Sequence, residues 1–185
     1  DPKYERWRWQ MFAVTWLGYA GIYLTRKSFS IAKTGMGEET EVGLLDADMA
    51  WIDMGYLIAY AIGQFIWGIT SDKVGPRKVL LGGMLISILT GVAMGVSTLP
   101  LALGVFFFIQ GLCQSTGWAP LTKNVSNFFS QRERGTIMGM WCTNYAVGGV
   151  VASALAAWAA TQWGYQYAFF VPAGVLLCIW FLFVF

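Results

Sequence analysis

Residues 7–32 read WRWQMFAVTWLGYAGIYLTRKSFSIA, an apolar and aromatic run that carries Arg26 and Lys27 side by side toward its far end. A bilayer's hydrocarbon core is crossed by about 20 mainly apolar residues in helical form, and this stretch supplies them. An arginine at the centre of such a span costs roughly 2.5–3.5 kcal/mol on insertion scales, so charges at that depth face a bundle interior or a water-filled cavity. Arg26 therefore marks a functional site once the stretch is read as a span. Its planar fork of donors also matches phosphate oxygens in pairs, where an ammonium offers only a point charge.

The rest of the chain agrees. It is 57% hydrophobic and 17% aromatic against 12% charged, with a mean hydropathy of +0.55, far from the composition of soluble domains. The chain is an integral membrane protein by this reading. A net charge of +2, gathered in short clusters between apolar runs, gives no basic field for nucleic acid. Histidine is absent, which excludes imidazole ligands, triads and relays. Cys113, Cys142 and Cys178 lie singly in apolar runs without the spacing of a disulfide, zinc or redox motif. No metal or cofactor is expected, and no nucleophile, base and orienter come together as in an enzyme.

Working outward from the first span, the apolar runs predict helices over 7–32, 46–70, 79–97, 101–129, 135–162 and 167–185. The fold expected is an all-α, six-transmembrane-helix bundle. Lys3, Arg6 and Arg8, then Lys73, Arg77 and Lys78, then Arg132 and Arg134 fall on alternate connections, and the positive-inside rule makes those ends cytoplasmic. The opposite connections carry Glu38, Glu39 and Glu41, then 97–100, then 162–166, with Lys33 the exception. Both termini are thus expected in the cytoplasm. With Asp1 in place of a methionine and an apolar run still open at Phe185, the chain is expected to be a fragment.

Glycines recur at helix-contact spacing, in Gly55, Gly63 and Gly68, in Gly82 and Gly91, and in Gly148 and Gly149. Small residues let membrane helices approach closely, and packing is their expected role. The connection Gly68, Ile69, Thr70, Ser71, Asp72, Lys73, Val74, Gly75, Pro76, Arg77, Lys78 carries more than charge. Asp72 can cap or neutralise a helix end, Gly75 and Pro76 make a tight turn, and Arg77 can pair with an acid on a neighbouring helix. Gly68, Asp72, Gly75 and Arg77 are read together as a conformational latch, against the alternative of a generic basic loop.

That connection resembles the signature loop between helices 2 and 3 of the major facilitator superfamily. More narrowly, Tyr19, Tyr23, Arg26, Lys27 and Phe29 resemble the first helix of its organophosphate:phosphate antiporters, which include glycerol-3-phosphate and hexose-6-phosphate transporters. Further matches are Gly111, Gln114, Gly117, Trp118 and Pro120, then 129–135, then Trp141, Gly148 and Gly149. The resemblance implies the N-terminal half of the superfamily fold, in a bacterial inner membrane, with a C-terminal half as missing partner. It implies that Arg26 binds the phosphate with a second arginine from that half. Tyr19 and Tyr23 would line the cavity, Trp118 and Trp141 would form its walls, and Lys27 and Tyr145 would join them. Where some glycerol-phosphate members have a histidine the chain has Tyr145, and where a basic residue is common in the second helix it has Gln64.

Physics gives the same residues a consistent role. Unit charges about 4 Å apart attract by roughly 4 kcal/mol at an effective dielectric near 20, while desolvating each ion costs several kcal/mol. One arginine against phosphate is close to balance, and a second cation across the cavity tips it toward closure. An empty cavity lined with unpaired cations resists closing, so switching requires an occupant. The function expected is exchange of an organic phosphate for inorganic phosphate by alternating access. The alternative is a membrane receptor that senses a sugar phosphate without moving it. For Arg26 and Lys27 the structural alternative is an ion pair with an acid such as Asp53. Lys123 reads as snorkelling or loop-pairing, Gln114 as an interhelical hydrogen bond, Trp7 and Trp9 as interfacial anchors, and Pro120 as an interruption of the fourth helix.

Overall fold

Proline and glycine punctuate the chain where its helices begin and end. In the computed structural model, which describes residues 2–37 and 42–184, α1 spans Pro2–Ala32 and runs into a single 3-10 turn, Lys33–Gly35. Then come α2 (Asp46–Val74), α3 (Pro76–Val96), α4 (Pro100–Gln114), α5 (Trp118–Phe128), α6 (Gln131–Trp141), α7 (Thr143–Trp163) and α8 (Tyr167–Val184). Pro76 and Pro100 open their helices in the first turn, where the missing N–H has no partner to lose. Gly75 separates α2 from α3 at φ +94°, a conformation that disfavours any side chain.

Among the described residues the eight α-helices make six rods, because α4 continues into α5 and α6 into α7. Five rods are long and apolar enough to cross a membrane: Asp46–Val74, Pro76–Val96, Pro100–Phe128, Gln131–Trp163 and Tyr167–Val184. The rod that falls short is α1. Its middle is rich in tyrosine, tryptophan and glycine, and Arg26 and Lys27 lower its hydropathy further, as suits a helix that fronts a polar cavity. Several helices start earlier than expected, at Pro2, Pro76 and Gln131, and α2 runs on to Val74. Hydropathy registers only the apolar middle of a rod, whereas the backbone ladder extends into its polar ends.

The interruption expected in the fourth span is present, and a second break corrects the fifth span, which was expected to be continuous. The fourth breaks at 115–117, ahead of Pro120, which sits in the first turn of α5 where its ring obstructs nothing. The fifth is interrupted at Cys142.

Backbones approach closely where glycine permits. A Cβ on Gly148 of α7 would lie 2.9 Å from the Ala20 backbone of α1, and one on Gly111 of α4 would lie 2.6 Å from the Tyr56 carbonyl of α2. Gly68 and Gly82, also expected at contacts, have no described atom of another residue within 4 Å of that position, so neither is at a close helix contact. The core falls into two clusters. One gathers Tyr19, Leu80, Met84, Leu121, Trp141 and Leu176; the other gathers Phe29, Met36, Leu44, Tyr56, Met94 and Phe107. Between them lies the face of α1 that carries Arg26. Glu38, Glu39 and Glu41, the acidic side of the charge asymmetry, lie outside the described residues.

Candidate functional site

Helical spacing puts Tyr19, Tyr23 and Arg26 on neighbouring positions of one face of α1, and Tyr56 and Tyr60 on one face of α2. The two faces meet. The Arg26 guanidinium carbon lies 5.0 Å from the ring centre of Tyr23, 5.3 Å from that of Tyr56 and 4.8 Å from that of Tyr60. One of its nitrogens donates to the Tyr23 hydroxyl at 3.2 Å. Ring faces attract a cation by roughly 0.5–2 kcal/mol apiece, so the cage holds the charge without neutralising it. No carboxylate pairs with Arg26 among the described residues.

The cage is braced from behind. The Tyr56 hydroxyl donates to Gln114 Oε1 at 2.8 Å, and Gln114 Nε2 donates to Thr25 Oγ1 at 3.0 Å. Gln110 Nε2 donates to the Thr25 carbonyl at 3.1 Å. Gln114 is thus the interhelical link expected of it, tying α4 to α1 and α2 beneath Arg26. In front of the arginine opens a cavity of about 360 Å³, lined by Tyr23, Arg26, Lys27, Ser30, Asp53, Tyr56, Leu57 and Phe107. A second cavity, of about 520 Å³, shares Tyr23 and Lys27 and adds Tyr145, Gly149 and Ser153.

The expected site residues therefore divide. Arg26, Tyr23 and Lys27 come together at the first cavity, and Tyr145 joins Lys27 at the second. Tyr19 is buried one layer deeper: its hydroxyl lies 3.3 Å from that of Tyr60, and its ring packs against Tyr23, Trp118 and Trp141. Trp141 is fully buried and donates its indole N–H to Thr15 Oγ1 at 3.1 Å. Neither tryptophan lines the Arg26 cavity; both prop Tyr19 from below. The Arg26–Asp53 pair weighed as an alternative does not form, because Asp53 bonds Lys33 instead. Tyr56 and Tyr60 escaped sequence reasoning. Their spacing of four on α2 was visible, but only the facing of α1 and α2 gives it meaning.

The latch residues are also placed. The backbone N–H of Gly75 caps α2 on the Ser71 carbonyl at 2.9 Å. Asp72 forms an ion pair with Lys123 of α5 rather than capping a helix, so Lys123 is a pairing residue. Among the described residues Arg77 meets no acid. It donates to the carbonyls of Phe183 at 2.8 Å and Val184 at 2.9 Å, in the last described turn of α8. Gly68 lies one turn before Ser71, whose hydroxyl donates to its carbonyl at 3.0 Å.

Rods of which five are long and apolar enough to cross a membrane, packed around an arginine that pairs with no carboxylate among the described residues, define an integral membrane protein. The chain belongs to the Major Facilitator Superfamily, whose family model matches residues 15–185. It is 32% identical to the "Probable hexose phosphate transport protein" of Chlamydia trachomatis over 96% of its own length and 38% of that protein. It is 33% identical to the "Glycerol-3-phosphate transporter" of Bacillus subtilis over 100% of its own length and 42% of that protein. With the human "Sugar phosphate exchanger 3" the identity is 31%, over 89% of the chain and 39% of the relative. These relatives are transport proteins, not enzymes. The chain spans about two-fifths of their length.

Proposed function

We propose that the chain is the N-terminal six-helix half of a twelve-helix secondary transporter, which exchanges an organic phosphate for inorganic phosphate by alternating access. One observation carries the reading: the Arg26 guanidinium is held by three tyrosine rings, has no acid partner among the described residues, and fronts a cavity of about 360 Å³. Such a cation is kept available for an anion, and its planar fork suits phosphate. Phosphate-linked names among the relatives support the same solute class.

In this reading a second cation from the C-terminal half completes the clamp across the midplane. The larger cavity beside Lys27 and Tyr145 receives the organic moiety. The basic ends of the rods face the cytoplasm of a bacterial cell, and the Gly68–Arg77 connection holds one of the alternating states through Asp72–Lys123 and the contacts of Arg77 with α8. The test is counterflow of radiolabelled inorganic phosphate against a sugar phosphate or glycerol phosphate in proteoliposomes carrying the complete protein. Exchange that requires phosphate on both sides is the expected result. Saturable binding without exchange would refute the antiporter reading and favour a receptor.

A further inference from the structure

Arg26, Ser30 and Lys33 follow one another at spacings of four and three, so they share one face of α1 and of the turn that prolongs it. On α2, Asp53, Tyr56 and Tyr60 form the facing row. Arg26 lies over Tyr56 and Tyr60, while one turn further along α2 the carboxylate of Asp53 is bonded to Lys33. The Lys33 ammonium also lies 5.2 Å from the Phe29 ring centre, which fixes its approach. Among the described lining of the Arg26 cavity, Asp53 is the one carboxylate.

A carboxylate in an anion-binding cavity poses two problems. It repels the incoming anion, and it competes for the cation meant to hold that anion. Asp53 lies three residues before Tyr56 on α2, a rise of about 4.5 Å, close enough for Arg26 to swing toward it. The tyrosine cage attracts Arg26 but cannot match a full opposite charge. We propose that Lys33 is a positioning residue that occupies Asp53 and so keeps the donors of Arg26 open to the substrate's phosphate. This rests on the reading of Arg26 as the phosphate ligand. Without Lys33, Asp53 captures Arg26 and fills the site with an internal anion; without Asp53, Lys33 adds a positive charge beside the cavity.

The two members of the ion pair therefore affect phosphate in opposite directions, which a pair that merely ties α1 to α2 cannot do. The experiment is counterflow of radiolabelled inorganic phosphate by the complete transporter in proteoliposomes, read as the half-saturating phosphate concentration. Lys33→Met raises it roughly tenfold or more, Asp53→Asn leaves it at or below the wild-type value, and the double variant returns to within about threefold of wild type. Lys33→Arg, which keeps the charge, stays close to wild type. Recovery in the double variant separates loss of charge compensation from failure to fold, because it lacks the same lysine. Equal losses in both single variants with no recovery would overturn the inference, as would a Lys33→Met protein with wild-type saturation. A wild-type protein that neither bound nor exchanged phosphate would overturn this inference and the phosphate reading of Arg26 together.

Discussion

Replacing Arg26 with lysine keeps the charge in the tyrosine cage and removes the planar fork. In the wild type the guanidinium sits 4.8–5.3 Å from three ring centres, with one nitrogen on the Tyr23 hydroxyl and the rest of its donors free toward the cavity. An ammonium in its place can approach phosphate but cannot present two parallel N–H groups. The loss is about one charge-assisted hydrogen bond, roughly 1.5–3 kcal/mol. Since about 1.4 kcal/mol is tenfold in affinity, Arg26→Lys should raise the half-saturating phosphate concentration by roughly 10- to 100-fold. The protein should remain folded, because Arg26 makes no ion pair that the substitution breaks. The assay is phosphate counterflow in proteoliposomes, with the amount and thermal stability of the purified variant measured alongside. A variant that saturates within about threefold of wild type would show that position 26 supplies charge alone, and the argument from fork geometry would fail.

Three further outcomes follow from the same geometry. Gly148→Leu drives a side chain into the Ala20 backbone, already 2.9 Å from a Cβ there; overpacking of this kind costs about 1–3 kcal/mol, so the thermal midpoint should fall, while Gly82→Ala, with open space around it, should leave it unchanged. Gln114→Leu orphans the buried Tyr56 hydroxyl and removes the donor to Thr25 Oγ1, which keeps its bond to the Ile22 carbonyl; at about 1–3 kcal/mol for an unsatisfied group, it should lower the thermal midpoint even without phosphate present. Asp72→Asn breaks an ion pair whose two side chains are both more than half exposed; stability should change by less than about 1 kcal/mol, yet exchange should slow if that pair holds one of the alternating states, and unchanged exchange rates would remove Asp72 from the latch.

Rod count, membrane class and superfamily were legible because each follows from composition and short motifs: apolar length sets the spans, and the Gly-Pro turn at 75–76 sets a helix boundary. Arg26 was legible too, since a charge in an apolar run is conspicuous wherever it points. What one strand of sequence could not reveal is which residues face it. Tyr56 and Tyr60 look like any aromatic pair on a membrane helix until α2 is laid against α1. Trp118 and Trp141 were expected as cavity walls, yet both pack against Tyr19, Trp141 fully buried and Trp118 half-buried, because a large ring near a cavity and one beneath it read alike in sequence. Asp53 was recognised as the nearby acid but weighed as a partner for Arg26 and Lys27, whereas it bonds Lys33. The competing lysine belongs to a turn whose path depends on how the chain leaves α1.

The contact between Gly148 and the Ala20 backbone has a mechanical consequence. With no side chain between them at that point, α1 and α7 are expected to move as one beam, so that a rotation carrying Arg26 would carry Tyr145 and Ser153 with it. In the proposed alternating-access cycle, the span between the two cavities would then act as a fixed gauge. Solutes would be graded by the distance from their phosphate to their far end, and lengthening the gap by a single substitution at the α1–α7 crossing should shift that preference toward longer molecules.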